Sequence, residues 1–148
     1  MEIAILALGC FWGPEIKFSK LNGVIKTEVG YCGGNKKETN YKEVCTGSTN
    51  HAEVVKLNFN PEVISYKEIL EYFFQIHNPT TLNSQGPDFG TQYRSEIFYL
   101  NEKQKLSAEK MIEAENKKLN GKVVTQLSLL KNYCTAEEYH QKYLDKKF

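Results

Sequence analysis

A thiol, the only tryptophan of the chain and a proline stand together in residues 9–15, which read GCFWGPE. This segment follows a short apolar run over residues 3–8 that is typical of a buried strand. Pro14 is tolerated only before a helix or in its first turn, so a helix containing it cannot begin much before Phe11. Cys10 is therefore predicted to lie at the amino-terminal edge of a helix.

A cysteine at such an edge has the chemistry of a nucleophile. Unpaired backbone N–H groups and the helix dipole favour negative charge, so we expect the pKa of the Cys10 thiol to be lowered. Phe11 and Trp12 would line the thiol with aromatic walls that suit an apolar methyl or thioether group. We also expect Gly9 and Gly13 to permit backbone shapes and close contacts that other residues block. The residues alone also allow a buried free cysteine between two core aromatics.

The composition limits the possible classes of function. With 148 residues, 41% of them hydrophobic and 25% charged, the chain suits one globular domain with a sizeable core. The 19 basic and 18 acidic residues give a net charge of +1, so no strong field attracts nucleic acid or a membrane. The apolar run over residues 3–8 is shorter than the roughly 7–15 residues of a signal peptide's apolar region. We expect a cytoplasmic monomer that binds neither nucleic acid nor a membrane.

The chain contains four cysteines, namely Cys10, Cys32, Cys45 and Cys134. Without a secretion signal they are expected to be reduced thiols. No C-x-x-C pair occurs, which argues against a zinc ribbon or a thioredoxin-like active site. The irregular spacing of Cys32, Cys45 and His51 does not match a metal site, so no metal is expected. His51 and His140 are candidate bases for a cysteine hydrolase, although the sequence favours capping or core hydrogen bonds for both.

Periodicity and chain breakers predict the order of the elements. Strands are predicted over residues 3–8, 24–31, 51–59, 94–100 and 123–129. Helices are predicted over 14–21, 66–76 and 102–119, and a short one from Ala136. Ser65 and Glu68 have the spacing of a capping box at the second helix. Two long loops remain, over residues 32–50 and 77–92, and loops beyond about 12–15 residues are usually functional.

This order, β-α-β-β-α-β followed by α-β, indicates an α+β fold. It is the split β-α-β, or ferredoxin-like, arrangement: a mixed sheet with helices packed on it, extended by one helix–strand unit. We find no internal boundary or repeat, and we expect residues 1–148 to form a single catalytic domain. Both long loops leave strand ends, where a rigid sheet can hold them near residues 9–14.

The segment GCFWGPE resembles the active-site signature of the A-type peptide methionine sulfoxide reductases. The resemblance continues through GYCGG (30–34), NYKEVCTGSTNHAEVV (40–55), HNPTTLNSQGPDFGTQYRS (77–95) and AEEYHQKYL (136–144). These segments occur in the family's order and fill both long loops. The resemblance implies thiol-dependent reduction of methionine S-sulfoxide, in oxidised proteins and peptides or as the free amino acid, and hence protein repair.

The resemblance also implies the two central residues of the reaction. Cys10 corresponds to the nucleophile that attacks the sulfoxide sulfur and becomes a sulfenic acid. Glu53 corresponds to the acid beside the sulfoxide oxygen, which is a poor leaving group until it is protonated. Glu53 lies between Ala52 and Val54 at a strand start, which fits a pKa raised by desolvation. Without the resemblance, the residues alone favour an exposed strand position for Glu53.

Five further residues take substrate-binding roles by the same resemblance. Phe11 and Trp12 correspond to the residues that hold the terminal methyl group. Tyr41 and Tyr93 correspond to tyrosines that hydrogen-bond the sulfoxide oxygen, and Asp88 to a buried carboxylate that assists through water. Sequence alone would not select Tyr41 and Tyr93 among the nine tyrosines of the chain.

The sequence leaves the regeneration of the thiol open. No bound cofactor is expected, and an external thiol, either thioredoxin or a small molecule, is expected to supply electrons. Many family members carry a resolving cysteine in a glycine-rich tail, which this sequence lacks. Cys134 stands where relatives commonly have an aromatic residue, and it is either a resolving thiol or a smaller core residue. We expect structural roles for Cys32 and Cys45, and an ion pair through which Arg94 anchors its loop.

Overall fold

The computed structural model describes residues 1–147 and contains one main sheet with helices packed against it. In the described part of the chain the strands are β1 (Glu2–Leu8), β2 (Val24–Cys32), β3 (Ala52–Phe59), β4 (Ser84–Gln85), β5 (Asp88–Phe89), β6 (Ser95–Tyr99), β7 (Gln126–Leu129) and β8 (Cys134–Thr135). The α-helices are α1 (Trp12–Ser19), α2 (Tyr41–Cys45), α3 (Tyr66–Gln75), α4 (Glu102–Lys118) and α5 (Tyr143–Lys147). Within residues 1–147 no helix has the length and apolar composition that crossing a membrane requires.

The main sheet has six strands in the order β7-β6-β1-β3-β2-β8. Only β6 and β7 pair in parallel, and the other neighbours are antiparallel. The central four strands, β6-β1-β3-β2, have the order of a split β-α-β fold, and β7 adds the extra helix–strand unit. The structure therefore confirms the predicted α+β class. The short strands β4 and β5 form a separate hairpin.

The core explains why residues 3–8 read as a continuous apolar run. From Ala4 to Leu8, β1 is at most 4% exposed, because it lies in the middle of the sheet and is covered on both faces. One face carries the larger core, in which Leu6 packs with side chains of α1, α3 and α4 such as Phe18 and Phe73. The opposite face carries a smaller cluster that includes Phe98.

Local signals placed the starts of α3 and α4 correctly, but α1 begins at Trp12, two residues before the predicted start, and the short elements were missed. The capping box of Ser65 and Glu68 is present, with Ser65 Oγ accepting the Glu68 N–H at 3.0 Å. The two predicted loops are wrong in part, since the first contains α2 and the second contains the β4–β5 hairpin and a 3-10 turn, Thr91–Tyr93. The predicted helix from Ala136 begins instead as a 3-10 turn, Glu138–His140, before α5. The two-residue strand β8 depends on pairing with β2, which local sequence cannot specify.

Candidate active site

Gly9 makes the turn that carries the chain from β1 to the first helix. Its φ of +100° lies in a region that other residues avoid, and a Cβ there would lie 2.9 Å from the Cβ of Gln85. Gln85 pairs with Asp88 in the β4–β5 hairpin. The close approach at Gly9 therefore brings Cys10 next to the hairpin that carries Asp88. Gly13, by contrast, has open space around it, so the prediction of a close contact there is wrong.

The Cys10 thiol is half-buried, and its pKa is raised rather than lowered. Burial raises this pKa to about 11, the backbone N–H of Trp12 opposes the rise, and the Glu53 and Asp88 carboxylates add to it. The helix start does donate a hydrogen bond, as the sequence predicted, but burial and two nearby acids outweigh it. In the substrate-free protein Cys10 is therefore a thiol at neutral pH.

Glu53 lies in β3 and is only 1% exposed. Its Oε1 accepts the backbone N–H of Phe11 at 3.3 Å, and its buried Oε2 has no hydrogen-bond partner within residues 1–147. Burial raises the pKa of Glu53 to about 8, the Phe11 N–H opposes this, and the Asp88 carboxylate adds to the rise. The predicted desolvation is confirmed. At neutral pH this side chain carries a proton that it can donate.

Two tyrosines complete the polar side of the site. Tyr41 is the first residue of α2 and Tyr93 ends the 3-10 turn before β6, and the two side chains are close enough to influence each other's pKa. Burial raises the pKa of Tyr41, and it raises that of Tyr93 to about 12, with Glu53 contributing to both. Both hydroxyls are therefore neutral donors close to Glu53. The structure thus brings together the five predicted polar residues, Cys10, Glu53, Tyr41, Asp88 and Tyr93.

The two predicted aromatic residues occupy different depths. Phe11 is buried, with its ring centroid 5.7 Å from that of Tyr31 and 5.2 Å from that of His140. Trp12 is half-buried; its Nε1 donates to His140 Nδ1 at 3.0 Å, and its ring stacks on Tyr143 at 3.8 Å between centroids. Phe11 therefore lies deep in the protein, and Trp12 is more accessible and is fixed by contacts with His140 and Tyr143.

Glu137 and His140 hold this arrangement from the far end of the chain. The bond from Trp12 to the buried His140 confirms the core hydrogen bond predicted for this histidine. Sequence reasoning missed Glu137, which accepts hydrogen bonds from the Tyr31 hydroxyl at 2.8 Å through Oε1 and from the backbone N–H of Tyr41 at 3.0 Å through Oε2. It thereby fixes the start of α2. The only available signal for Glu137 was its position in the AEEYHQ segment, which says nothing about its contacts.

The last residue of GCFWGPE, Glu15, ties the same carboxy-terminal segment to α1. It is buried, and its oxygens accept the Lys142 backbone N–H at 2.7 Å and the Thr27 hydroxyl at 2.9 Å. The Gln141 side chain also bonds both backbone groups of Val29 in β2, at 2.9 and 2.8 Å. The carboxy-terminal segment that supports Trp12 is therefore anchored to α1 and to the main sheet.

The four thiols are free. Cys32 is buried, and Cys45 is exposed on α2, where its side chain and that of Tyr41 influence each other's pKa. Cys134 pairs with Tyr31 in β8, three strands away from the end of β1 that leads to Cys10. At about 4.8 Å per strand this separation is roughly 14 Å, whereas a disulfide needs Cα atoms within about 7 Å. Cys134 therefore lies beyond disulfide distance of Leu8, the last residue of β1.

The remaining candidate residues have structural contacts. His51 Nε2 lies 2.9 Å from the backbone oxygen of Lys36, and residues 1–147 hold no cluster of three metal-ligand side chains. Arg94 donates from Nε to Glu96 Oε1 at 2.6 Å and from Nη1 to the Thr91 oxygen at 2.8 Å. This confirms the predicted ion pair, which anchors the 3-10 turn to β6.

A half-buried thiol beside a protonated carboxyl and two tyrosine hydroxyls suits a redox enzyme that removes oxygen from its substrate. The family model described as "Peptide methionine sulfoxide reductase" matches residues 2–148. The chain belongs to this family, which confirms the resemblance found in the sequence.

Individual relatives agree with this assignment. A curated peptide methionine sulfoxide reductase MsrA from Pelagibacter ubique is 74% identical over 147 residues, covering 99% of this chain and 100% of the relative. Reduced Mxr1 from Saccharomyces cerevisiae has a TM-score of 0.93 at 42% identity, over 98% of this chain and 84% of Mxr1. Mxr1 in complex with Trx2 has a TM-score of 0.69 at 28% identity, over 96% and 84% of the two chains.

Proposed function

We propose that the chain is one catalytic domain that reduces the S epimer of methionine sulfoxide, in proteins and peptides or as the free amino acid. The observation that carries this proposal is the buried, protonated Glu53 beside the half-buried thiol of Cys10. A neutral carboxyl donates a proton to an oxygen, and a sulfur nucleophile attacks the atom that bears this oxygen.

In the first step the sulfoxide oxygen lies among the hydroxyls of Tyr41 and Tyr93 and the Glu53 carboxyl. These groups stabilise the charge that develops on the oxygen as the S–O bond polarises. By the family resemblance the Asp88 carboxylate acts through water, and its charge contributes to the raised pKa values of Glu53 and Cys10. Each donor is neutral before the substrate enters, so binding does not require the burial of a new charge.

The raised pKa of Cys10 fits a reaction in which the proton leaves as the bond forms. Glu53 gives its proton to the sulfoxide oxygen while the Cys10 sulfur bonds to the substrate sulfur. The thiol proton then restores the Glu53 carboxyl. After the oxygen moves to Cys10, the products are methionine and a sulfenic acid, so atoms and electrons balance: R₂SO + Cys–SH gives R₂S + Cys–SOH.

The methyl group of the substrate would contact the aromatic side chains of Phe11 and Trp12. Phe11 packs on His140, and Trp12 is held in place by His140 and Tyr143. Apolar contacts on one side of the sulfur and oxygen-binding donors on the other side would distinguish the two sulfoxide epimers. Exchange of the oxygen and the lone pair on sulfur would remove the oxygen from its donors.

Regeneration is assigned to an external thiol, with no bound cofactor. A thiol RSH attacks Cys10–SOH, releasing water and leaving a mixed disulfide, and a second thiol releases Cys10 as RSSR forms. The complex of Mxr1 with Trx2 supports a thioredoxin in this role. Cys134 could take part only after a rearrangement, because it lies three strands away.

The rival reading, a cysteine hydrolase, lacks the base that it requires. Such an enzyme needs a histidine in hydrogen-bond contact with the nucleophile. His140 Nδ1 accepts the Trp12 indole N–H, and His51 is bonded to the backbone of Lys36. The side chains that act on the Cys10 thiol are carboxylates.

The test uses separate S and R epimers of methionine sulfoxide, with thioredoxin as the reductant. Cys10→Ser should abolish reduction of the S epimer, and Glu53→Gln should slow the single-turnover formation of methionine about 100-fold. Cys32→Ser and Cys45→Ser serve as controls that should largely retain activity. Turnover by Cys10→Ser, or equal single-turnover rates for Glu53→Gln and the wild type, would contradict the proposal.

Counting thiols separates the routes of regeneration. One equivalent of substrate without reductant should consume one of the four thiols and leave a sulfenic acid that dimedone traps at Cys10. Loss of two thiols, with a disulfide from Cys10 to Cys134 found by peptide mapping, would assign resolution to Cys134.

A further inference from the structure

Two large apolar side chains stand exposed on the segment that carries Asp88. Phe89 is 76% exposed, the highest value among the large apolar residues in the part of the chain described, and Leu82 is 65% exposed. Phe89 follows Asp88 directly in β5. A single exposed apolar side chain is common on protein surfaces, so what distinguishes these two is their place on the segment of a residue of the proposed site.

These side chains stand on a fixed support. The Gly90 backbone N–H donates to the Asn83 oxygen at 2.9 Å, which closes the β4–β5 hairpin. The Gln85 side chain accepts the Asn78 backbone N–H at 3.0 Å and donates to the Asn78 oxygen at 2.5 Å. Because the hairpin is hydrogen-bonded on both sides, its apolar groups are held in position before any partner arrives.

The hairpin also lies against the turn that carries Cys10. Gln85 lies against Gly9, the residue before Cys10, and Gln85 pairs with Asp88. In an extended peptide each residue advances the chain by about 3.3 Å. When a methionine sulfoxide side chain reaches Cys10, residues one or two positions away in the peptide therefore lie within about 7 Å along the chain, which lets them reach a hairpin that contacts the neighbouring Gly9.

We propose that Leu82 and Phe89 bind an apolar residue that flanks the oxidised methionine in a polypeptide substrate. This inference rests on the proposed function and specifies its substrate class. Methionine is among the residues most often buried, so its neighbours in a sequence are commonly core residues that become exposed when an oxidised protein unfolds. Such a segment offers apolar side chains to the hairpin, whereas free methionine sulfoxide has no flanking residue to bind there.

The experiment compares three substrates: free methionine S-sulfoxide, a peptide with leucines on both sides of it, and the same peptide with serines. In Phe89→Ser, and more strongly in Phe89→Ser with Leu82→Ser, kcat/KM for the leucine peptide should fall about tenfold, mainly through KM. The other two substrates should change less than twofold. The matched control is Ile25→Ser, which removes an apolar side chain that is 60% exposed near the opposite end of β2.

Three results would overturn the inference. An equal loss on all three substrates would mean that the hairpin only supports the catalytic residues. Unchanged kinetics on the leucine peptide would mean that the pair binds nothing there. A rise confined to the KM for thioredoxin would assign the surface to the reductant. Failure of the wild type on every substrate would instead refute the proposed function itself, so the two failures are distinguishable.

Discussion

The Glu53 carboxyl accepts the backbone N–H of Phe11 at 3.3 Å, although 42 positions separate the two residues. The turn that presents the Cys10 thiol therefore also orients the acid. Because Oε1 is occupied as an acceptor and the buried Oε2 has no partner among residues 1–147, the proton of the neutral carboxyl belongs on Oε2. This oxygen is the one that is free to donate to a substrate.

Removing the Glu53 charge should make Cys10 easier to ionise. Above pH 8 the Glu53 carboxylate is ionised and opposes thiolate formation, since it contributes to the raised pKa of Cys10. In Glu53→Gln we expect alkylation of Cys10 by iodoacetamide at pH 9 to be roughly three- to tenfold faster. The rate is measured by mass spectrometry of the Cys10 peptide. Glu109→Gln, at an exposed position, is the control, and a slower alkylation of Glu53→Gln would contradict this electrostatic coupling.

The same carboxyl should make stability depend on pH. Its folded pKa of about 8 lies above its ordinary value of 4.5, so the folded chain keeps a proton that the unfolded chain releases between these values. The contribution of this bound proton to the stability of the fold is complete below pH 4.5 and is lost as the pH rises to 8. Glu53→Gln carries no charge at any pH. The free energy of unfolding of Glu53→Gln, measured in urea, should therefore rise relative to that of the wild type by roughly 2–5 kcal/mol between pH 5 and pH 8.5. A pH-independent difference would show that Glu53 ionises normally.

The hydrogen bond from Trp12 to His140 can be followed by tryptophan fluorescence, because Trp12 is the only tryptophan in the sequence. In His140→Phe the ring packing is kept but the indole N–H loses its acceptor, at a cost of about 1–3 kcal/mol. We expect a shifted fluorescence maximum and a several-fold higher KM, with a smaller change in kcat. His140→Asn offers an acceptor again and should restore part of both signals. An unchanged emission spectrum in His140→Phe would contradict the positioning role.

Gly9 and Gly13 should respond in opposite ways to the same substitution. Gly9→Ala combines a φ of +100° with a Cβ 2.9 Å from Gln85, so it should destabilise the fold by roughly 1–3 kcal/mol and lower activity by displacing Cys10. Gly13→Ala, in α1 with open space around its Cβ, should stabilise the fold by about 0.5–1 kcal/mol. Urea unfolding curves of the two variants provide the comparison. Destabilisation by Gly13→Ala would reveal a constraint at this position beyond packing.

Features that depend on neighbouring residues in the chain could be predicted from the sequence. The apolar run of β1, the position of Pro14 in α1 and the capping box of Ser65 and Glu68 each carry their reason within a few residues. The burial of Glu53 could be inferred only through the family resemblance, because the residues alone favour an exposed strand position for a glutamate.

Features that depend on distant residues could not be predicted in this way. The helix start argued for a lowered pKa of Cys10, but the depth of the thiol and its distance from two acids are set by the fold. Tyr41 and Tyr93 could be selected only through the family resemblance, since they meet across α2 and a 3-10 turn. The two-residue strand β8 has no local pattern and exists through its pairing with Tyr31.

The anchoring of residues 136–143 has a consequence for the order in which the enzyme becomes active during synthesis. Cys10 and Trp12 leave the ribosome early, whereas Glu137, His140 and Tyr143, which fix α2 and the indole, leave it more than 120 residues later. A nascent chain can therefore assemble much of its sheet while the contacts that fix Trp12 and α2 near Cys10 are still missing. Under the proposed function, catalytic competence requires that residues 136–143 have been synthesised.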